Sequence, residues 1–217
     1  MPFKDRNFEE DSITAAKMTL TGALDNDALA DDAVNADSIV AAAVTVAKLN
    51  TTLKTGYIPL NIAMMRIISA DQTVDTTEGG VPDTDTNPSI LRISTSTDKA
   101  MRVSWAAGNA AEVQFAPFAL PPDIDSTAVL TVKLRASMAG SADTPTIAVS
   151  YFEGVGDTNA GGNTGAVTGT TPATYSVAVL AAEVGAAGAA VTIGLIPAAH
   201  ATDILRLDGA WVEYTRV

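Results

Sequence analysis

The sequence predicts a mainly β protein: an antiparallel β-sandwich preceded by an extended N-terminal repeat arm. Three observations carry this reading. From residue 58 onward, apolar and polar side chains alternate in short runs, the period-2 signature of half-buried strands. Connectors rich in Gly, Pro, Thr and Asp separate these runs, and no convincing helical period interrupts them. Before residue 57 the large apolar residues recur every five positions instead, which fits neither a helix nor a simple strand. The expected division is therefore 1–56 for the arm and 57–217 for the sandwich.

The strands are read in order. Residues 58–70 form a β-branched run with Pro59 near its start, where proline is tolerated at a strand end or edge. Segments 89–95 and 99–106 flank Ser96-Thr97-Asp98 as a hairpin, and 111–115 follows. In 128–137, Leu130, Val132 and Leu134 alternate with Thr131, Lys133 and Arg135. Segment 146–152 puts Ile147, Val149 and Tyr151 on one face, 174–181 does so with Tyr175, Val177 and Val179, and 190–196 with Val191, Ile193 and Leu195. The last strand carries Leu205 and Leu207, then Val212 and Tyr214. Its parity flips at Asp208-Gly209, which predicts a glycine bulge, with a tight Asp-Gly turn as the alternative. The connections 71–88 and 154–172 are long and polar, as functional or mobile loops are, and are expected at one end of the sandwich. Aromatics make up 5% of the chain, which predicts thin sheets and stacked repeats rather than one thick core.

The arm follows another rule. Its large apolar residues are Ile13, Met18, Leu24, Leu29, Val34, Ile39, Val44 and Leu49, spaced by five except for one step of six after Met18. On a helix, five residues advance about 500°, so these side chains would spiral around the axis without forming a stripe. Each repeat offers one large residue that it cannot bury alone, so neighbouring copies are needed. Three chains wound together would supply them, with the eight residues on a shared axis. An Ala-rich helix or an acidic arm without regular structure is the alternative.

Composition narrows the function. The net charge is −12 and the pI near 4.3, so the surface repels phosphate backbones and anionic membranes. Neither nucleic acid nor membrane is an expected partner. Charge does not divide the chain: 1–57 holds nine acidic and five basic residues, and 58–217 holds sixteen and eight. There is no cysteine, hence no disulfide framework and no thiolate site. The start, MPFKDRNFEEDS, lacks the apolar run of a secretory signal, and no window approaches 18 apolar residues. A protein made in the cytoplasm is expected.

The groups that carry chemistry are few. His200 is the only histidine; a triad with Asp203 lacks a Gly-x-Ser-x-Gly elbow to support it. Asp83-Thr84-Asp85-Thr86-Asn87 matches the start of a calcium loop, but Pro88 stands where glycine is needed and Ser94 where a bidentate glutamate is needed. Asp123 and Asp125 resemble paired glycosidase carboxylates, yet two prolines and a short turn explain them more simply. Trp105 and Trp211 offer surfaces for sugar stacking, but each lies inside an expected strand, which favours a core or subunit-interface role. No catalytic residue, metal site or cofactor is expected.

Two groups of residues carry a family resemblance. Asp11-Ser12-Ile13-Thr14-Ala15-Ala16-Lys17-Met18 and Ala43-Val44-Thr45-Val46-Ala47-Lys48-Leu49 resemble repeats of phage fibre and head-decoration proteins. The segments from Ala116-Pro117-Phe118 to Leu207-Asp208-Gly209-Ala210-Trp211 resemble the jelly-roll domain of phage capsid-decoration, or cement, proteins. The resemblance implies a non-enzymatic homotrimer on the outer capsid surface of a virion, bridging subunits of the major capsid protein. In that setting the arm attaches to the capsid, with Phe3 and Phe8, its only aromatics before Tyr57, as anchors. The alternative is a short head or tail fibre whose jelly roll binds a host receptor or glycan.

Overall fold

The computed structural model describes residues 54–69, 73–83, 85–92, 101–154 and 157–217, all within one unit, Val46–Val217. The expected arm axis (Ile13, Met18, Leu24, Leu29, Val34, Ile39, Val44 and Leu49), the anchors Phe3 and Phe8, and the connector 96–98 lie outside the described residues.

Alternation of apolar and polar residues builds two antiparallel sheets. The first contains β1 (Thr55–Leu60), β3 (Ser89–Arg92), β4 (Met101–Trp105), β7 (Leu130–Met138), β10 (Ala173–Val179) and β12 (Leu205–Thr215), in the order β10-β7-β12-β4-β3 with β1 also on β12. The second contains β2 (Arg66–Ile68), β5 (Glu112–Gln114), β6 (Phe118–Ala119), β8 (Ile147–Glu153), β9 (Gly162–Asn163) and β11 (Ala190–Pro197), in the order β2-β5-β11-β8-β9 with β6 also on β11. The chain passes repeatedly between the sheets, and the architecture is a β-sandwich of jelly-roll type.

The inward positions of both sheets meet in one continuous core, not in thin stacked layers. Val103, Trp105, Leu134, Leu207 and Val212 of the first sheet and Val113, Val149, Tyr151, Ile193 and Leu195 of the second are at most 1% exposed. Each large aliphatic residue so buried contributes about 1.5–3 kcal/mol. Strict alternation over long strands therefore compensates for the scarcity of aromatics.

The hairpin of β3 and β4 pairs Ser89 with Ser104 and Ile90 with Val103, as expected. The bulge in β12 is also present. Its register on β7 shifts between Leu207 and Gly209, so Leu205 and Leu207 before it, and Ala210, Val212 and Tyr214 after it, all point inward. The bulge sits where the neighbour of β12 changes: β4 pairs with Leu205–Leu207 and β1 with Ala210–Thr215. Gly209 does not adopt a positive φ.

Three expectations are corrected. The run 58–70 is not one strand, because β1 belongs to the first sheet and β2 to the second. Asn61 Oδ1 accepts a hydrogen bond from Ala63 N at 3.0 Å and starts a 3-10 turn, Ile62–Met64, that carries the chain across the sandwich edge. The first strand begins at Thr55, which pairs with Thr215, so Thr55 and Gly56 belong to the sandwich and not to the arm. The two long connections share one end only in part: the second reaches the end of the first in its later half, where Val167 N donates to Pro145 O and Met138 N to Gly169 O. The β2–β3 connection lies at the end where β12 begins, whereas residue 154 leaves β8 at the opposite end. That second connection then runs back along β8 through β9.

Candidate functional site

At the end where β12 begins, the β11–β12 link holds His200 and Asp203. The imidazole is 1% exposed, with Nδ1 2.9 Å from Ala198 O. Asp203 turns away from it: its Oδ2 accepts from Ala142 N at 2.6 Å and Asp143 N at 3.1 Å. Asp143 returns the contact, accepting from Thr202 N at 2.6 Å and Asp203 N at 2.7 Å. These backbone bonds, the one from Asp203 first, hold the Asp143 carboxyl below its ordinary value. The two carboxylates clasp the β7–β8 and β11–β12 loops together, and Asp203 does not orient His200.

At the other end, Asp123 accepts from Tyr214 OH at 3.0 Å and pairs with Arg216 at 3.3 Å. Asp125 Oδ1 accepts from Thr127 N at 2.9 Å and Thr127 Oγ1 at 2.6 Å. Those bonds, the side-chain one first, lower its carboxyl. The acidic pair thus fastens the turn before β7 and the end of β12. Thr86 Oγ1 accepts from Asp83 N and lies within hydrogen-bond distance of Asp83 O and Pro88 O, so a threonine hydroxyl ties Asp83 to Pro88. Among the described residues, no group of three or more His, Cys, Asp or Glu is placed to hold a metal ion.

The two tryptophans separate. Trp105 is fully buried, and its indole N–H donates to Ala111 O at 2.9 Å. Trp211 is on the outer face of the first sheet, only partly covered. Its Nε1 donates to Glu213 Oε1 at 3.1 Å, and Lys133 Nζ lies 3.3 Å from Glu213 Oε2, which fixes the ring.

Directly opposed residues share a face of a sheet, so the pairings map that surface in rungs. One rung is Ser176, Lys133, Trp211 and Pro59; the next is Ala178, Thr131, Glu213 and Tyr57. On the other side of Trp211 the rung is Thr174, Arg135 and Gly209, and beyond the bulge it is Ser137, Arg206 and Ser104, where both serines are buried. Tyr57 is 58% exposed, and Pro59, Arg135, Thr174 and Ser176 are exposed as well. Sequence reading singled out Trp211 but missed the rest of this face because it is assembled from five strands, and its other local sign was polar residues alternating with the core positions.

No protein-family profile and no curated protein matches the chain. Among solved structures, the xylan-binding module CBM15 superposes with a TM-score of 0.45 at 9% identity, covering 75% of this chain and 98% of that one. CBM35 from Cellvibrio japonicus Abf62 gives 0.41 at 14% identity, with coverages of 75% and 99%. The enzymatically active domain of bacteriophage CBA120 tailspike protein 4 gives 0.37 at 11% identity, covering 70% of this chain and 19% of that one.

Proposed function

We propose that this chain is a structural virion protein, a homotrimeric decoration protein that cements a phage capsid by bridging its major capsid subunits, and that it is not an enzyme. The observation that carries the reading is the five-residue repeat from Ile13 to Leu49. It presents one large apolar residue per repeat and needs partner copies to bury them. The described residues of the sandwich form a core of their own. His200, the residue best suited to general-base work, is sealed at 1% exposure, and the acid next to it is spent on backbone N–H groups.

Light scattering on the intact protein should give about three times 22.2 kDa; a monomer at micromolar concentration sinks the trimer. A chain of residues 54–217 should keep a β-type circular dichroism spectrum and fail to bind undecorated capsids. Full-strength binding by that chain would move attachment into the sandwich and remove the role of Phe3 and Phe8. The second reading, a short fibre that binds a host glycan, is favoured by the open face around Trp211.

A further inference from the structure

We propose that the outer face of the first sheet binds a carboxylate-bearing saccharide, with a sugar ring lying on Trp211 and its carboxylate held by Arg135 and Arg206. The inference deepens the glycan reading, and a decoration protein can carry the same site.

The first observation is Gly209. A glycine inside a strand costs stability and marks a bulge, a close packing contact or the approach of another molecule. Gly209 lies in the β12 bulge, but it has no positive φ there that would call for glycine, and a Cβ built on it meets nothing within 4 Å. Other glycines in the sandwich do meet demands of their own fold: a Cβ at Gly194 would reach Ser150 Oγ at 2.3 Å, and one at Gly161 would reach Val149 O at 1.8 Å. The missing side chain at Gly209 leaves an open notch beside Arg135, its direct partner on β7. Trp211 lies two residues further along the same face.

The second observation is charge. The chain carries −12, yet this face gathers Arg102, Lys133, Arg135 and Arg206. Asp208 neutralises Arg102 at 2.6 Å and Glu213 neutralises Lys133 at 3.3 Å. Arg135 and Arg206 flank the notch, and neither forms an ion pair within the described residues. A guanidinium fork matches a carboxylate bidentately.

The rest of the surface favours a sugar over an acidic protein. Interface cores are apolar and anchored by large side chains, whereas the exposed positions facing Arg135 and Lys133 on β10 are Thr174 and Ser176, small hydroxyl residues suited to a polyol. The indole N–H is already satisfied by Glu213, so Trp211 offers its ring face. That face is electron-rich and attracts the polarised C–H groups on one side of a pyranose.

The test uses the intact chain and uronate tetrasaccharides of galacto, gluco and manno configuration, with cellotetraose as the neutral comparator and hexaglutamate as the acidic peptide. Calorimetry measures affinity, and tryptophan fluorescence reports on Trp211, because the only other tryptophan is buried. At least one uronate should bind about tenfold or more tightly than cellotetraose. Arg135→Gln should erase that preference. Gly209→Val should weaken binding about tenfold or more without lowering the melting temperature, since its added atoms enter open space. Failure of all three uronates to bind overturns the proposal, as does binding indifferent to both substitutions. Hexaglutamate binding as tightly through the same residues would assign the face to an acidic protein segment instead. Capsid binding enters none of these measurements, so the site and the cementing role fail independently.

Discussion

Asp143 and Asp203 are 60 residues apart in sequence, yet each carboxylate accepts the backbone N–H groups of the other's loop. Neither loop is a helix or a strand, so these bonds take the place of a strand ladder for the backbone amides of both loops. A hydrogen-bonded carboxylate favours its charged form, and the Asp143 carboxyl accordingly titrates below its ordinary value of 3.8. The stabilisation it provides is fully present above the unfolded-state pKa and is lost as the pH falls through the lower, folded-state pKa. Asp143→Ala should therefore lower the melting temperature at pH 7, and the gap to the unsubstituted protein should close on acidification below the ordinary aspartate range. Thermal melts of both proteins from pH 7 down to the acid limit check this. A gap that persists unchanged in acid means that the loops are held by something other than the charged carboxylate. Sequence alone suggested Asp203 as a partner for His200, because proximity along the chain is visible and the direction of a side chain is not.

The elements that were legible are those with long alternation. β7, β8, β10 and β11 each show three or more apolar residues at period 2, and the pleat converts that period directly into one buried face. β6 and β9 are two residues each, too short to carry a period. The β1–β2 run hid its break because the turn at 61–65 contains neither glycine nor proline. β9 supplies an element-level prediction. Gly161 precedes it so closely against β8 that an added Cβ would lie 1.8 Å from the Val149 carbonyl oxygen, and a backbone atom in a paired strand cannot move aside. Gly161→Ala should cost about 1–3 kcal/mol in urea unfolding. Gly165→Ala, four residues on, meets nothing within 4 Å and has no positive φ. It should change stability by less than about 0.5 kcal/mol. Equal effects at the two positions would mean that the β8–β9 edge opens without cost.

At the scale of the whole molecule, the acidic composition and the five-residue repeat are properties of the chain that need no fold to be read. If the repeat forms a shared threefold axis, Ile39→Asp places three carboxylates together in apolar surroundings. An unpaired buried charge costs several kcal/mol even after relaxation, and the trimer meets that cost three times, against about 1.5–3 kcal/mol gained per buried aliphatic side chain. The substitution should open the repeat and expose residues near 39 to protease while the sandwich stays intact. Asp37→Ala, two residues away, should leave the cleavage pattern unchanged. Equal resistance in both proteins would reduce the spacing to a coincidence of an Ala-rich segment.

By itself the sequence determined that the protein is mainly β, which residues face the core in the long strands, and that the last strand changes parity at Asp208-Gly209; the pairing with β7 then decided for a bulge over a tight turn. These follow from local periodicity, and a change of parity in one strand is visible in that strand alone. The tertiary structure decided the rest. It sent residues 55–60 and 66–68 to different sheets and spent Asp123, Asp143 and Asp203 on loop closure. It also brought Arg135, Gly209 and Trp211 onto one face from two strands distant in the chain. The physical reason is that strand pairing brings together residues with no common signal along the chain. Lys133 meets Trp211, and Arg135 meets Gly209, only once the register between β7 and β12 is set by burial of the opposite face.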